Sequence, residues 1–482
     1  MTKSKYVTGL QCPKLLWMQV KRKIPKRGEI EERRLEEGVI IGEAAKKAFP
    51  EGVDLAGLDF NLNIEKTEEA IRSGRIIFEA GLLDGDCFSR VDILVPARGG
   101  WDIVEVKGST EVKEQHIPDV AFQKFCAKKN GLKVGKCFVM HLNKEYVRKG
   151  DIEPKKLFVK TDVSADVDDA LREVPGNARR LVKVLDSKRC PEASIGPHCS
   201  DPYGCPVEVC WDFLPENNVC DLYRIRAEKA FELISDGVYS IKDVPKEFNL
   251  SSNQQIQKEC ELTGKPHIDK PGIRDFLEEL KYPLHFLDFE TFNTGIPMFD
   301  GLKPYQQVPF QFSLHTVRSR GAKPKHAMFL AEGKEDPRRE FLVRLKRSLG
   351  TRGSVVVYNQ AFETRILKEL AGTFPKQKAW FKKVCGRVVD LLVPFRSFDY
   401  YSPKQQGSAS IKDVLPALTR KSYKGMEIAD GGAAGIAFIK ATYEDTSEKE
   451  KKKLRKALRK YCTMDTDAMI KIVEKLEKLS DK

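Results

Sequence analysis

Apolar and polar positions along the chain follow two different periods, which predict helices in some segments and strands in others. Residues 1–50 place Leu15, Leu16 and Val20 at helical spacing and contain few helix breakers. From about residue 75, apolar and polar residues alternate, which indicates half-buried strands. A mixed α/β domain is therefore expected in the first half of the chain. Its expected elements are strands at 88–95 and 101–107, a helix near 120–129 and a strand at 136–142.

A second α/β pattern follows an interrupted region. Helical pieces within residues 216–280 are broken at Pro245, Pro266 and Pro271, which predicts a connector. Further strands are expected at the apolar runs 282–290, 310–317 and 354–358, with helices from there to the end. The predicted domains are 1–215, 216–280 and 281–482.

The charge balance favours a polyanionic partner. The 482 residues carry 84 Lys and Arg against 70 Asp and Glu, a net charge of +14. No apolar run approaches the roughly 18 residues of a membrane helix, and the first residues lack a signal peptide's apolar stretch. We therefore expect a cytoplasmic protein that binds nucleic acid and no membrane. The basic runs Lys21–Lys23 and Lys26–Arg27 are candidates for phosphate contact, and Lys449–Lys460 indicates either a solvated helix face or such a contact.

A carboxylate pair and a lysine stand on the predicted hairpin. A turn between Arg98 and Gly99 places Asp92 opposite Glu105, and alternation puts Glu105 and Lys107 on one face. Two carboxylates can hold a hard divalent cation, and the ammonium can stabilise charge during phosphodiester hydrolysis. The alternative is a surface hairpin of alternating charge. Against that alternative, the opposite face is expected to be buried and consists of Val91, Ile93, Val104 and Val106, so the charged face is directed elsewhere.

This segment resembles the RecB-like branch of the PD-(D/E)xK nuclease superfamily, in which Asp92, Glu105 and Lys107 match the signature. The resemblance implies a restriction-endonuclease-like fold. It adds Glu43 as the upstream acidic residue and Gln123 as the downstream helical glutamine. The family's aromatic residue four positions later is replaced by Ala127.

Cysteines crowd into one irregular segment. Cys199, Cys205 and Cys210 lie among prolines and glycines, and Cys12 near the start can supply a fourth thiolate for zinc or a [4Fe–4S] cluster; unligated thiols are the remaining alternative. The stretch resembles the iron–sulfur nucleases of the CRISPR-adaptation and AddB type, which implies a structural [4Fe–4S] cluster. Cys190 and His198 are alternative ligands. Plain packing is expected for Cys87, Cys126, Cys137, Cys260, Cys385 and Cys462.

Four carboxylates and a tyrosine form the strongest chemical signal. Asp288 and Glu290 share a strand face, and Tyr461 and Asp465 share a helix face. Glu363 lies at the start of a helix that follows a strand, with Asn359 as the expected helix cap. Such a set suits two Mg²⁺ or Mn²⁺ ions about 4 Å apart. Asp288 would bridge both ions, Glu290 and Asp465 would hold the ion that activates water, and Glu363 would complete the second. Tyr461 would orient the water; the alternative is a set of ordinary surface residues.

The order and setting of these residues resemble the DEDDy group of DnaQ-like 3′–5′ exonucleases, which implies an RNase H-like domain over about 281–482. Glu363 stands where that group more often has Asp. Asp390 is either an outer-shell group or an ordinary strand-end acid. Nearby aromatic residues are expected to pack in the core or to stack on unpaired bases, namely Phe289, Phe292, Tyr305 and Phe312.

Three hypotheses follow. The favoured one is a metal-dependent DNA nuclease with two active centres, which acts in DNA repair or in processing of foreign DNA. The second is an RNA exonuclease with only the C-terminal centre active, because the metal chemistry is indifferent to the 2′-hydroxyl. The third is a nucleic-acid-binding scaffold without catalysis.

Overall fold

The computed structural model describes residues 1–25 and 28–481, and within them the chain forms two units, both mixed α/β as predicted. One unit comprises Met1–Asp212 with Thr294–Gln306, and the other comprises Phe213–Asn293 and the chain from Gln307 onward. The first break lies close to the predicted boundary at 215. Residues 216–280 belong to the second unit, and 294–306 are grouped with the first, which the sequence pattern did not indicate.

The first unit is a six-stranded sheet with helices on both faces, and its strand order is β1-β2-β3-β4-β5-β6. Strands β1 and β2 are parallel, as are β4 and β5, and the other neighbours are antiparallel. The elements are α1 (Lys3–Gln11), α2 (Pro13–Val20), α3 (Glu29–Lys46), β1 (Val53–Asp54), α4 (Phe60–Arg72), β2 (Ile77–Asp84), β3 (Cys87–Ala97), β4 (Gly100–Lys107), α5 (His116–Lys129), β5 (Val134–Leu142), α6 (Pro154–Leu157), β6 (Phe158–Asp162), α7 (Ser164–Leu171) and α8 (Val174–Asp186).

Both faces of the β3–β4 hairpin are buried, because helices cover each side of the sheet. Ile93 and Val104 pack with Ile41 of α3 on one side. Leu94 and Ile103 pack in a second core with residues of α1 and α5. The expected burial of the valine and isoleucine face is confirmed for Val91, Ile93 and Val104, and the charged face of the hairpin also lies under helices.

The second unit is built on a five-stranded sheet of order β10-β9-β8-β11-β12. Its central strand β8 runs antiparallel to β9 and parallel to β11. The elements are α9 (Ala227–Ser235), α10 (Ser252–Thr263), β7 (His267–Ile268), α11 (Lys270–Glu278), β8 (Leu284–Phe292), β9 (Val308–Val317), β10 (Lys325–Leu330), α12 (Arg338–Ser348), β11 (Val355–Val357), α13 (Gln360–Thr373), α14 (Lys378–Cys385), β12 (Val388–Asp390), α15 (Val393–Arg396), β13 (Tyr400–Tyr401), α16 (Ile411–Leu418), α17 (Gly431–Thr442) and α18 (Glu448–Ser480).

Some expected boundaries in this unit are corrected. Pro271 lies in the first turn of α11, where its missing N–H costs nothing, so it starts a helix instead of breaking one. Residues 216–280 contribute β7, which pairs with β13 in a small sheet. Strands β12 and β13 interrupt the expected run of helices, since two or three residues are too few to show a period.

Two further expectations concern membranes and the N-terminal basic run. Within 1–25 and 28–481, no helix is long and apolar enough to cross a bilayer. Lys26 and Arg27, expected to contact phosphates, lie outside the described residues.

Candidate functional site

A cluster of acidic side chains forms at the centre of the second unit's sheet. Asp288 and Glu290 project from the middle strand β8, and α18 lies against β8 and β9. A carboxylate oxygen of Asp288, one of Glu290 and the Cys462 sulfur lie within 4.8 Å of one another. Helix α13 supplies Glu363 in its first turn. We call this set, with Tyr461 and Asp465, the carboxylate centre.

Burial and mutual repulsion dominate the electrostatics of the carboxylate centre. Burial first, and then the charges of Asp465, Glu290 and Glu363, raise the pKa of Asp288 well above its usual range. Burial and Asp465 likewise raise the pKa of Glu290. Burial raises the pKa of Glu363 to about 8, and that of Asp465 to about 6. All four predicted carboxylates are therefore within electrostatic reach of one another.

No described cation neutralises this charge directly. Within the described part of the chain, none of the four carboxylates has a Lys, Arg or His nitrogen within 4.0 Å. Lys412 lies farther off, where its charge lowers the pKa of Glu290 and of Asp465, and its ammonium is 5.9 Å from the Tyr461 ring centroid. Buried charges without a counter-ion are strongly unfavourable, so this centre calls for a cation.

The hydrogen bonding of Glu363 is the most direct indication that the carboxylate centre binds a ligand. Its Oε2 atom is fully buried and has no hydrogen-bond partner within the described residues. Oxygen donors of this kind suit Mg²⁺ and Mn²⁺. The carboxylate centre therefore fits divalent cations, with Asp288, Glu290, Glu363 and Asp465 as the residues that would hold them.

Three residues of this centre were not anticipated. The Tyr423 hydroxyl donates to Asp465 Oδ1 at 2.5 Å, and Lys412 is the nearby cation. The Cys462 thiol, expected only to fill space, donates to Asp288 Oδ2 at 3.4 Å. Cys462 is buried as expected, and its hydrogen bond to Asp288 could not be predicted, because a buried thiol beside an acidic group and one in a plain core share the same helical pattern.

Other residues singled out near the carboxylate centre have structural roles. Asp390 accepts hydrogen bonds from the backbone N–H groups of Asn359 and Leu392, at 2.8 and 3.0 Å, and its charge helps raise the pKa of Glu363. Asn359 occupies the cap position of α13 but its side chain makes no capping bond, because its φ of 77° places it in the left-handed region. Core packing is the fate of the buried rings Phe289, Phe292 and Phe312, and Tyr305 belongs to the first unit.

The predicted hairpin site of the first unit also assembles. The observed register pairs Ile93 with Val104, which confirms the predicted turn and sets Asp92 level with Glu105. The Lys107 ammonium donates to Glu105 Oε1 at 2.7 Å, so these two side chains share a face as expected. Gln123 of α5 donates to Glu105 Oε2 at 2.6 Å. We call Asp92, Glu105, Lys107 and Gln123 the hairpin centre.

Two unanticipated residues complete the hairpin centre. The Lys3 ammonium lies 3.2 Å from Asp92 Oδ1 and 2.9 Å from Glu105 Oε1. Asp119 of α5 accepts from Lys107 at 2.5 Å and from Gln123 at 3.2 Å. A cation already lies between the two carboxylates that were expected to hold a metal ion, so the hairpin centre as it stands does not fit a divalent cation.

The charges of the hairpin centre are balanced internally. Burial, and next the charge of Glu105, raise the pKa of Asp92 to about 7, against the opposing effect of Lys3 and Lys107. Burial also opposes ionisation of Glu105, but the Lys107 and Lys3 charges and hydrogen bonds outweigh it and lower its pKa. Glu105 thus keeps its negative charge, whereas the pKa values of all four acids in the carboxylate centre are raised.

Glu43 is not among the contacts of the hairpin centre. Its side chain is exposed on α3 and pairs with Lys46 at 2.6 Å. Glu79, which the sequence pattern did not single out, is nearer. Its backbone φ is 57°. Its pKa is raised overall, mainly by burial and in part by the charge of Glu105, although the charge of Lys3 acts in the opposite direction.

The four predicted cysteines converge. Cys12, Cys205 and Cys210 pack in one small apolar cluster with Leu15 and Val207. Burial raises the pKa of Cys205, and after a backbone hydrogen bond that lowers it, the nearby Cys199, Cys12 and Cys210 thiols raise it further.

The sulfurs of these cysteines are loosely spaced. Among the described residues, no three cysteine sulfurs lie within 4.8 Å of one another. Cys190 is exposed, and His198 Nε2 is 3.7 Å from the Cys199 sulfur.

Comparison with known protein families gives a match that includes most of strand β8. Residues 285–410 match the family described as "Domain of unknown function (DUF2779)", which includes Asp288, Glu290 and Glu363 but not Tyr461 or Asp465.

Two curated relatives are similar to part of the chain. "Uncharacterized protein UU173" of Ureaplasma parvum serovar 3 is 25% identical over 258 residues, which are 48% of this chain and 35% of that protein. "Uncharacterized protein MG366 homolog" of Mycoplasma pneumoniae is 27% identical over 230 residues, 42% of this chain and 34% of that protein. The match thus spans about a third of the length of each relative. These names assign no activity, so function has to be inferred from the side chains.

Proposed function

We propose that the protein is a metal-dependent nuclease that hydrolyses phosphodiester bonds of DNA, with catalysis in the carboxylate centre. The observation that carries this proposal is a set of four neighbouring carboxylates, of which Asp288 is half-buried and the other three are buried, without an ion-pair partner among the described residues. Proteins rarely leave such charge uncompensated. Two-metal phosphodiester chemistry needs this kind of donor set.

Each side chain has a role that follows from its position. Asp288, Glu290, Glu363 and Asp465 would hold Mg²⁺ or Mn²⁺, which when bound neutralise phosphate charge and make water a better nucleophile. The Tyr461 hydroxyl, on the same helix face as Asp465, would orient the attacking water. The Tyr423 hydroxyl holds Asp465 in place through its 2.5 Å hydrogen bond. Lys412 supplies positive charge near the position of the scissile phosphate.

The finer assignments rest on the resemblances. The central position of β8 and the chain order of the carboxylates support an RNase H-like, DnaQ-type unit and hydrolysis from the 3′ end. The hairpin centre and the helices over it support a PD-(D/E)xK-like first unit. The convergent thiols support a structural [4Fe–4S] cluster there, with zinc as the alternative. DNA repair or processing of foreign DNA is the proposed setting.

End-labelled substrates test this proposal. Single-stranded DNA, double-stranded DNA and RNA are incubated with the full chain in Mg²⁺, Mn²⁺ or EDTA, and products are resolved by length. We expect stepwise shortening from the 3′ end of DNA that EDTA and Asp288→Asn both abolish. Glu340→Gln is the matched control, because Glu340 is exposed on α12 and, among residues 1–25 and 28–481, pairs with Arg344 alone. Shortening of RNA alone would favour the RNA hypothesis, and no cleavage of any substrate with either metal would favour the scaffold.

A further inference from the structure

The hairpin centre differs from the carboxylate centre in what lies between its acidic groups. The Lys3 ammonium contacts Asp92 Oδ1 at 3.2 Å and both Glu105 oxygens at 2.9 and 3.0 Å. Oxygens from two carboxylates around one point are the usual surroundings of a bound divalent cation. Here the same oxygens surround the nitrogen of a lysine from a distant part of the sequence.

Helix α1 holds this lysine in place. Tyr6, one turn further along, is buried and stacks on Phe122 of α5 with ring centroids 4.8 Å apart. Before the helix, the Met1 carbonyl accepts a hydrogen bond from Phe88 N–H at 2.8 Å, and Thr2 forms a bridge with Phe88. Lys3 therefore lies in a segment that is held by contacts both before and after it, and its side chain is only 22% exposed.

The balance of charge points the same way. The described carboxylates of the hairpin centre are Asp92, Glu105 and Asp119. Two ammonium groups, Lys3 and Lys107, already serve those three acids. A divalent ion between Asp92 and Glu105 would have to displace Lys3 and would still face Lys107.

We propose that Lys3 is the resident cation of the hairpin centre, where it takes the place of a divalent metal ion. The native hairpin centre then binds neither Mg²⁺ nor Mn²⁺. Its ion pairs have a structural role, because they hold α1 against the β3–β4 hairpin. This inference goes beyond the proposed function, which concerns the carboxylate centre. It also confines metal-dependent hydrolysis to the second unit.

Mn²⁺ binding tests the proposal without reference to activity. The carboxylate centre is first disabled in the full chain by Asp288→Asn with Asp465→Asn, and bound Mn²⁺ is counted by electron paramagnetic resonance. This background should bind no Mn²⁺ that depends on Glu105. Adding Lys3→Met should create one site that Glu105→Gln removes. Its affinity should exceed that of the background by at least about tenfold, since an ammonium and a divalent ion about 4 Å apart repel each other by several RT even in water.

Two results would overturn the proposal. One is a Mn²⁺ site in the background that disappears with Glu105→Gln while Lys3 is intact. The other is a folded Lys3→Met protein that gains no site. Circular dichroism checks the fold, and if Lys3→Met does not fold, the comparison of the background with and without Glu105→Gln decides alone. Equal Mn²⁺ stoichiometry supports the proposal, and a loss of one ion contradicts it. Because the carboxylate centre is disabled throughout, the outcome does not depend on whether that centre cleaves DNA.

Discussion

Removing one charge from the carboxylate centre should stabilise the metal-free protein. Glu363 is 3% exposed, and one of its oxygens has no hydrogen-bond partner within the described residues. Its pKa is raised by burial from 4.5 to about 8. Glu363→Gln keeps the shape of the side chain and removes the ionisation. The variant should therefore be more stable than the wild type at pH values above about 4.5, where the unfolded chain has lost the proton that the buried carboxyl must take up on folding.

The magnitude follows from linkage. A carboxyl group with a raised folded-state pKa is protonated in the native protein at a pH where the unfolded chain has already released the proton. Native stability therefore falls as pH rises from the unfolded value, near 4.5, to the folded value, near 8. At pH 7 the penalty is about 3 kcal/mol, because each unit of pKa difference is worth about 1.4 kcal/mol. A unit of this size should gain roughly 6 to 12 °C in Tm when the penalty is removed.

Calorimetry of EDTA-treated protein between pH 5 and pH 8 measures this effect. The transition that responds to Glu363→Gln should rise in Tm at pH 7 and should fall less steeply as pH rises, with little difference at pH 5. The raised pKa values of Asp288, Glu290 and Asp465 account for the pH dependence that remains. Glu340→Gln is the control and should change stability by less than about 0.5 kcal/mol. Mn²⁺ should stabilise the wild type more than Glu363→Gln, since ligand binding to the native state raises stability. A lower Tm for Glu363→Gln at pH 7, or an unchanged pH dependence, would refute the claim of uncompensated buried charge.

Three other perturbations have defined outcomes. Tyr461→Phe should lower the rate of DNA hydrolysis roughly 10- to 100-fold with little change in Mn²⁺ affinity, measured by single-turnover assays and titration; equal rates would remove its role in orienting water. Cys199→Ser should abolish a broad absorbance near ~400 nm in anaerobically purified protein, and colourless wild-type protein containing zinc would decide against the iron–sulfur cluster. Phe310→Ala should destabilise the second unit by about 3–5 kcal/mol in calorimetry, because Phe310 is 0% exposed and stacks on Phe438 at 4.0 Å; a loss below 1 kcal/mol would contradict this picture of the core.

Features that depend on local pattern could be predicted from the sequence. The hairpin register followed from the alternation around Arg98 and Gly99, and the structure pairs Ile93 with Val104 as expected. The shared helix face of Tyr461 and Asp465 followed from the spacing of four, and both lie buried on α18. In each case, neighbours along one or two elements decide the geometry.

Features that depend on tertiary packing could not be predicted. Lys3 reaches Asp92 only because α1 packs on α5 through Tyr6, and 89 positions separate the two residues. Tyr423 lies between two helices with no motif around it. Glu79 adopts a left-handed φ of 57°, a conformation that a glutamate at this position does not predict. Long-range contacts of this kind leave no period in the sequence, so they became visible only in the assembled units.

Diffraction from crystals soaked in Mn²⁺ tests the carboxylate centre most directly. Anomalous scattering identifies manganese and locates it without reference to any activity. We expect a peak within about 2.6 Å of carboxylate oxygens of Asp288 and Glu290, and a second ion near Glu363 or Asp465. No peak should lie between Asp92 and Glu105. Fully occupied manganese elsewhere with none beside Asp288 would contradict the account, however the cysteines are liganded.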